Sequence, residues 1–265
     1  MNLTTLTRVK KLLDIEGTAK DNLLTNYIVS ESLEIEKHLG RHVLQESRTE
    51  TYTVETWENV VWLKGYPVKS SPAPQFRSDF LRQFTGSAID ATMYDLNLQR
   101  GRVYFDRYRL NWGPGTFQAI YTGGLALTAA RLKGGASGGA LTYTVGEVVS
   151  GSSSGASGKF VSEAGGIITL TVDFGLFEVG DVLTGATSGA TRNLTSITET
   201  PLVMAFPDIA LACEEQVAYL YKQRDHMGLS SISAEGGSVS FETPRGLIPQ
   251  VQRRLVPYVR KVTQP

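Results

Sequence analysis

Val145-Gly146-Glu147-Val148-Val149-Ser150-Gly151-Ser152-Ser153-Ser154-Gly155-Ala156-Ser157 recurs, residue type for residue type, as Val179-Gly180-Asp181-Val182-Leu183-Thr184-Gly185-Ala186-Thr187-Ser188-Gly189-Ala190-Thr191, 34 residues further on. The unit lies in a stretch, 123–200, that holds 16 of the chain's 27 glycines and no Pro, Trp, His or Cys. Lys159-Phe160-Val161 and Ile167 to Val172 flank Glu163-Ala164-Gly165-Gly166, a hairpin signal. The offset equals the period of some helical repeats, but two glycine-rich copies without helical spacing do not make a solenoid. Residues 128–199 therefore read as a small all-β module with two equivalent Gly/Ser turns. It is set into a host whose parts, 1–127 and 200–265, belong together.

Composition agrees with a folded host. At 265 residues, 41% hydrophobic and 20% charged, the chain has room for one large domain or two smaller ones. The single cysteine, Cys213, excludes an internal disulfide framework. The first residues lack an apolar signal region, and no run approaches a membrane span, so neither secretion nor membrane insertion is expected. Zero net charge argues against a whole-molecule grip on a polyanion.

The host reads as helices around a little strand. Leu3, Leu6, Val9, Leu12 and Leu13 make one helical face. Leu24, Tyr27, Ile28, Ile35 and Leu39 make another, stopped by Gly40. Period-two alternation comes next over Arg48 to Glu55, then a short apolar strand at Val60 to Leu63. Ala91–Leu98 and Arg102–Arg107 form a pair around Arg100-Gly101, and Phe117–Thr122 is a further strand. Beyond the module, Asp208 can cap a helix with the face Ile209, Ala212, Cys213, Val217, Leu220 and Tyr221. Ser230–Thr243 reads as a loop or hairpin, and Pro249 opens a last helix that Pro257 ends. The expected fold class is α+β: a helical bundle with a small antiparallel sheet, interrupted by the inserted all-β module.

Catalytic chemistry is sparse. Gly151 to Lys159 has a superficial likeness to a phosphate loop, but Ser153 stands where the first glycine belongs and Phe160 where a magnesium-binding hydroxyl belongs, so a β-turn is the reading. His38 and His42, at i and i+4, lack a third metal ligand and read as a solvated helix end. His226 stands apart. Cys213 lies on an apolar helix face and reads as a buried small hydrophobe. The chain is not expected to be an enzyme, and neither a cofactor nor a metal is expected. Charge is uneven, however. Arg245 to Pro265 carries five basic residues and no acid, and Lys64 to Arg109 carries eight basic against four acidic. Both are either solvated surface or contacts for an acidic partner or a DNA backbone.

The flanks resemble a family. Val9-Lys10-Lys11-Leu12-Leu13-Asp14-Ile15, then Asp21-Asn22-Leu23-Leu24 and the helix to Leu39-Gly40-Arg41, resemble the start of tailed-phage head–tail connector (adaptor, or head-completion) proteins. Val61-Trp62-Leu63-Lys64-Gly65-Tyr66-Pro67-Val68 is similar to a strand-turn of that family. Gln118-Ala119-Ile120-Tyr121-Thr122-Gly123-Gly124 is similar to the strand after which the family enters its long helix. Here that helix, Pro207 to Arg224, is delayed by the module. Leu255-Val256-Pro257-Tyr258-Val259-Arg260 resembles the family's closing tail with altered spacing.

The resemblance implies a structural virion protein in the neck between capsid and tail, assembled in the host cytoplasm. It implies a dodecameric homo-oligomeric ring beneath the portal protein, a stopper or tail-completion protein below, and genomic DNA passing non-specifically through the channel, with no membrane. It makes the C-terminus the portal-binding element, with Val251, Leu255, Val256, Tyr258 and Val259 as apolar anchors and Arg253, Arg254, Arg260 and Lys261 as charges. The module, slightly acidic with Glu147, Glu163, Asp173, Glu178, Asp181 and Glu199 against Arg131, Lys133, Lys159 and Arg192, is expected to project away from the DNA. Alternatives are a capsid-surface decoration or carbohydrate-binding phage protein, and a hydrolase with a scattered site.

Overall fold

A computed structural model describes residues 2–55, 59–127, 129–135, 142–199, 201–224, 231–234, 237–240 and 246–260. Helices α1 (Leu6–Leu13) and α2 (Asp21–Leu39) come first. Strands β1 (Glu46–Val54), β2 (Val60–Trp62), β3 (Gln75–Ser78), β4 (Asp95–Asn97), β5 (Arg102–Tyr104) and β6 (Gly113–Gly123) succeed them. Next are β7 (Ala129–Gly134), β8 (Val148–Gly151), β9 (Ser157–Ala164), β10 (Ile167–Phe174), β11 (Val182–Gly185) and β12 (Thr191–Glu199). The chain closes with α3 (Leu202–Ala205), α4 (Pro207–Gln223), the hairpin β13 (Ser231–Ala234) and β14 (Gly237–Ser240), and α5 (Pro249–Leu255).

This corrects the expected helical bundle with a small sheet: the protein is predominantly β. The helical periods are real, but only α2 and α4 are long. The region between them, expected to hold one small sheet besides the module, builds two sheets and a closed barrel. The short strands β3, β4 and β5, of three or four residues, offer too few alternations to weigh against nineteen helical residues in α2.

The chain forms two compact units, 40–127 and 1–39 with 128–265. In the first, β1-β6-β3 and β2-β5-β4 are antiparallel three-stranded sheets that share one core. β6 is the middle strand, and its inward positions Phe117, Ala119, Tyr121 and Gly123 are all buried. Phe76 of β3 stacks on Phe117 with centroids 5.8 Å apart, and Phe105 meets Phe117 edge-on at 5.5 Å. At Gly124, φ is +141° and an added Cβ would lie 2.4 Å from the Leu44 carbonyl oxygen, so the strand can leave the sheet there only as glycine.

In the second unit α4 is the central helix, packed against α1, α2 and α5. Its start differs in detail from the sequence reading. Pro207 takes the first helical position and Asp208 sits in the first turn, where its charge suits the helix dipole, instead of serving as the cap. Buried Glu214 accepts from Thr4 Oγ1 (2.7 Å) and Arg8 Nε (2.6 Å), which ties α1 down.

Strands β7 to β12 close a six-stranded barrel in the order β10-β7-β12-β11-β8-β9. The duplication is larger than the thirteen-residue unit: β7-β8-β9 is one copy and β10-β11-β12 the other. The two middle strands pair antiparallel as Val149↔Gly185, Ser150↔Thr184 and Gly151↔Leu183, a register that maps onto itself under the 34-residue offset. The third strand of each copy pairs with the first strand of the other. Even the bulges match, since β9 skips Val161 and β12 skips Thr195. Neither copy can complete the sheet alone, so the two interlock around one core. Tyr143 and Phe177, Val149 and Leu183, Ala156 and Ala190, and Phe160 and Leu194 occupy equivalent buried places in that core. The barrel's first and last strands are neighbours, with Arg131 opposite Glu199, so the chain enters and leaves it about one strand spacing apart.

Candidate functional site

The C-terminal residues divide by environment. Val251 and Leu255 are fully buried where α5 packs on α4. They face the core and are not outward anchors. Arg254 Nη2 bonds Glu215 Oε1 at 2.8 Å, and Nη1 lies 3.9 Å from Asp208 Oδ1. Pro257 converts the end of α5 into a 3-10 turn, Val256–Tyr258, in which Tyr258 meets Phe206 edge-on at 5.9 Å. The Arg260 N–H donates to the Leu39 carbonyl at 2.9 Å, so the chain stays on the helical layer through that residue. The outward members of the set are Arg253, at the exposed end of α5, and Val256, 59% exposed. Val259 and Arg260 are half-buried. Lys261 lies outside the described residues, as does His226.

The Gly/Ser turns of the barrel explain why the phosphate-loop likeness is empty. Such a turn offers successive backbone N–H groups to an anion. Here the anion is supplied by the chain. Asp181 Oδ1 accepts from the Ser153 and Ser154 N–H groups, both at 2.9 Å, and Oδ2 accepts from Ser154 Oγ at 2.6 Å and Glu178 N–H at 3.0 Å. In the other copy, Glu147 Oε2 accepts from Thr187 and Ser188 N–H at 2.9 Å, and Oε1 from Ser188 Oγ at 2.7 Å and Thr144 N–H at 2.6 Å. Each copy's carboxylate thus fills the other copy's turn.

The glycines are set by this clasp. A Cβ on Gly151 would lie 2.6 Å from Asp181 Oδ2, and one on Gly185 would lie 2.8 Å from Glu147 Oε1. Burial opposes ionisation of both carboxyls. The hydrogen bonds outweigh it, holding Glu147 at about 2 and Asp181 below its ordinary value. Both carboxylates thus stay ionised although buried, and their charge lies inside the turns and not on outward-pointing side chains.

The histidine pair separates. α2 ends at Leu39, so His42 is not on the helix. Its Nε2 meets Glu50 Oε1 at 2.7 Å in a half-buried cluster on β1. There Glu50 Oε2 also accepts from the Tyr52 hydroxyl and, at 2.8 Å, from the Tyr121 hydroxyl. Tyr121 in turn receives the Gly65 N–H at 2.8 Å. Burial raises the Glu50 pKa, but the bonds from His42, Tyr52 and Tyr121 and the His42 charge lower it further, to about 2. Burial pushes both tyrosines up. The cluster clamps β1, β6 and the 64–65 turn. Its signal lay in parity, because Glu50 shares the inward face of Tyr52 and Val54.

Cys213 is fully buried, 3.6 Å from Ser32 Oγ, and burial pushes its thiol up to about 12, which leaves it a poor nucleophile at neutral pH. Among the described residues no cluster of three or more His, Cys, Asp or Glu is placed to hold a metal ion, and no helix is long and apolar enough to cross a membrane.

No protein-family model matches the chain, and neither does any curated protein. A solved structure described as "Neck of empty GTA particle computed with C6 symmetry" is similar over 99% of this chain and 93% of that one, with a TM-score of 0.46 and 11% identity.

Proposed function

We propose that this protein is a structural virion component, an adaptor whose ring joins the portal to the tail and continues the DNA channel. The observation that carries the reading is the order of the flanking motifs, each of which falls on a defined element. The opening motifs form α1 and α2, Val61–Val68 forms β2 and its turn, Gln118–Gly124 ends β6, and the delayed helix is α4. The barrel enters and leaves through neighbouring strands, which is how a module is added to a surface connection without disturbing the host. A near-neutral chain suits a conduit through which DNA must slide.

The portal contact in this reading is the outward edge of α5 and the segment after it: Arg253 and Val256, then Val259, Arg260 and Lys261. Binding of full-length protein to purified portal tests it. Arg253→Glu and Val256→Asp should weaken binding, the first in a salt-dependent way. Unchanged binding in both variants would move attachment elsewhere.

A further inference from the structure

We infer that copies of this chain dock on each other through two surfaces the fold has left exposed: the outer face of α2 on one copy and the 79–84 and 111–116 loops on the next. The inference deepens the ring assembly proposed above and rests on it.

The α2 face is reversed in charge. Two of the helix carboxylates, Glu31 and Glu36, are buried. The outward positions from residue 22 to residue 33 hold only Asn, Thr, Ser, Val29 and Leu33. Val29 and Leu33, four apart and 37% and 54% exposed, form an apolar ridge. A helix face meant for water carries its charges outward. Loss of charge around exposed apolar groups is the composition of an interface centre.

The two loops present the complement. Phe80, Leu81 and Trp112 are 65%, 71% and 62% exposed and line a concavity of about 460 Å³ together with Arg82. The arrangement is preorganised. The Asp79 carboxylate accepts from the N–H groups of Leu81, Gln83 and Phe84 at 2.8–2.9 Å, and Arg82 and Phe84 hold positive φ. Thr116 Oγ1 donates to the Asn111 carbonyl at 2.6 Å, and the Asp79 N–H donates to the Thr116 carbonyl at 2.9 Å, which ties one loop to the other. Loops already ordered lose little further freedom on binding. Trp and Arg are among the residue types that dominate binding energy, and Phe is enriched at interface cores.

Charge complementarity selects a second copy as the occupant. Arg82 makes no ion pair among the described residues, while Glu34, its side chain 41% exposed, borders the Leu33 ridge and pairs with the exposed Lys37 at 3.6 Å. A loop tip on one unit and a helix face on the other are two different patches, the requirement for head-to-tail closure into a ring.

Sedimentation velocity of the full chain over a concentration series tests the inference, with circular dichroism confirming the fold of each variant. The wild type should form a concentration-dependent oligomer. Trp112→Ser and Leu33→Asp should each weaken association by about tenfold or more. Arg82→Glu and Glu34→Arg should each weaken it, and the double variant should recover it. An oligomer indifferent to all four substitutions, or a double variant no better than the singles, overturns this interface while leaving the ring reading intact. Disruption by the variants in a protein absent from virion necks would leave the interface and overturn the adaptor reading. A wild type that stays monomeric yet binds anionic phospholipid vesicles through Trp112 would replace the second copy with a membrane.

Discussion

Glu147 and Asp181 hold the same place in the repeated unit and exchange partners: each carboxylate caps the Gly/Ser turn of the opposite copy through three hydrogen bonds and takes a fourth from its own copy. The exchange fixes the register of β8 on β11 and makes each half of the barrel depend on the other.

Replacing either carboxylate by its amide should therefore damage both halves. Asp181→Asn keeps the size and an oxygen for the Ser153 and Ser154 N–H groups but turns its NH2 toward the Glu178 N–H and the Ser154 hydroxyl, costing about 1–3 kcal/mol. Glu147→Gln should lower the midpoint in the same direction. The barrel should still unfold in one step, because its copies interlock. Urea unfolding monitored by far-UV circular dichroism measures this, and two separate barrel transitions would contradict the interlocked description.

Acid should loosen both units. Glu147 and Glu50 sit at about 2 in the fold against an ordinary 4.5, so their contribution is complete above about 4.5 and is lost as pH falls toward 2. The units can be read separately, since Trp57, Trp62 and Trp112 all lie in residues 40–127 and the barrel has none. Tryptophan fluorescence should show a flatter acid dependence in Glu50→Gln only. Barrel amide signals in NMR should show it in Glu147→Gln only.

Burial of the C-terminal helix changes what truncation does. Leu255→Ala should cost about 2–5 kcal/mol, because Leu255 is fully buried beside α4. Deleting 250–265 removes Val251 as well, and should unfold the helical layer instead of only releasing the portal. Deleting 261–265 should leave the melting temperature unchanged. Thermal unfolding of the three proteins checks the order.

The barrel's adjacent ends predict that it can be removed. A short Gly/Ser linker in place of 129–199 should leave 40–127 folded, with Phe76, Phe105 and Phe117 still packed and cooperative loss of tryptophan signal retained. What the deletion exposes is the α1 contact with β10, where Lys11 Nζ lies 3.7 Å over the Phe174 ring. A modest loss of helical stability should accompany it. An insoluble product would place the barrel in the core.

The repeat was legible because its glycines perform the same local task twice, and local tasks leave local patterns. Gly155 and Gly189, both at φ +65°, were recognisable as turn residues from their Ser and Ala neighbours. α1, α2, α4 and α5 were legible from period and from their Gly and Pro boundaries, whereas the four-residue α3 is too short to show a period. The pairing of third strands with the opposite first strands was not, because register in β9 and β12 is set by bulges at Val161 and Thr195 that no short pattern marks. Nor was the inward turn of Val251 and Leu255, since a spacing of four places them on one face but does not say whether that face meets α4 or a partner. His42 was misplaced even though the stop at Gly40 was legible: the spacing of four from His38 was read across that stop, and the imidazole's partner, Glu50 on β1, leaves no local pattern.

A closed ring of this chain at the portal–tail junction is the arrangement on which the proposed function stands. Electron microscopy of particles carrying a gold-labelled or fusion-tagged copy of the chain locates it. Density in a single ring at the neck, between portal and tail, is the predicted result. Label spread over the capsid surface in trimers would contradict it.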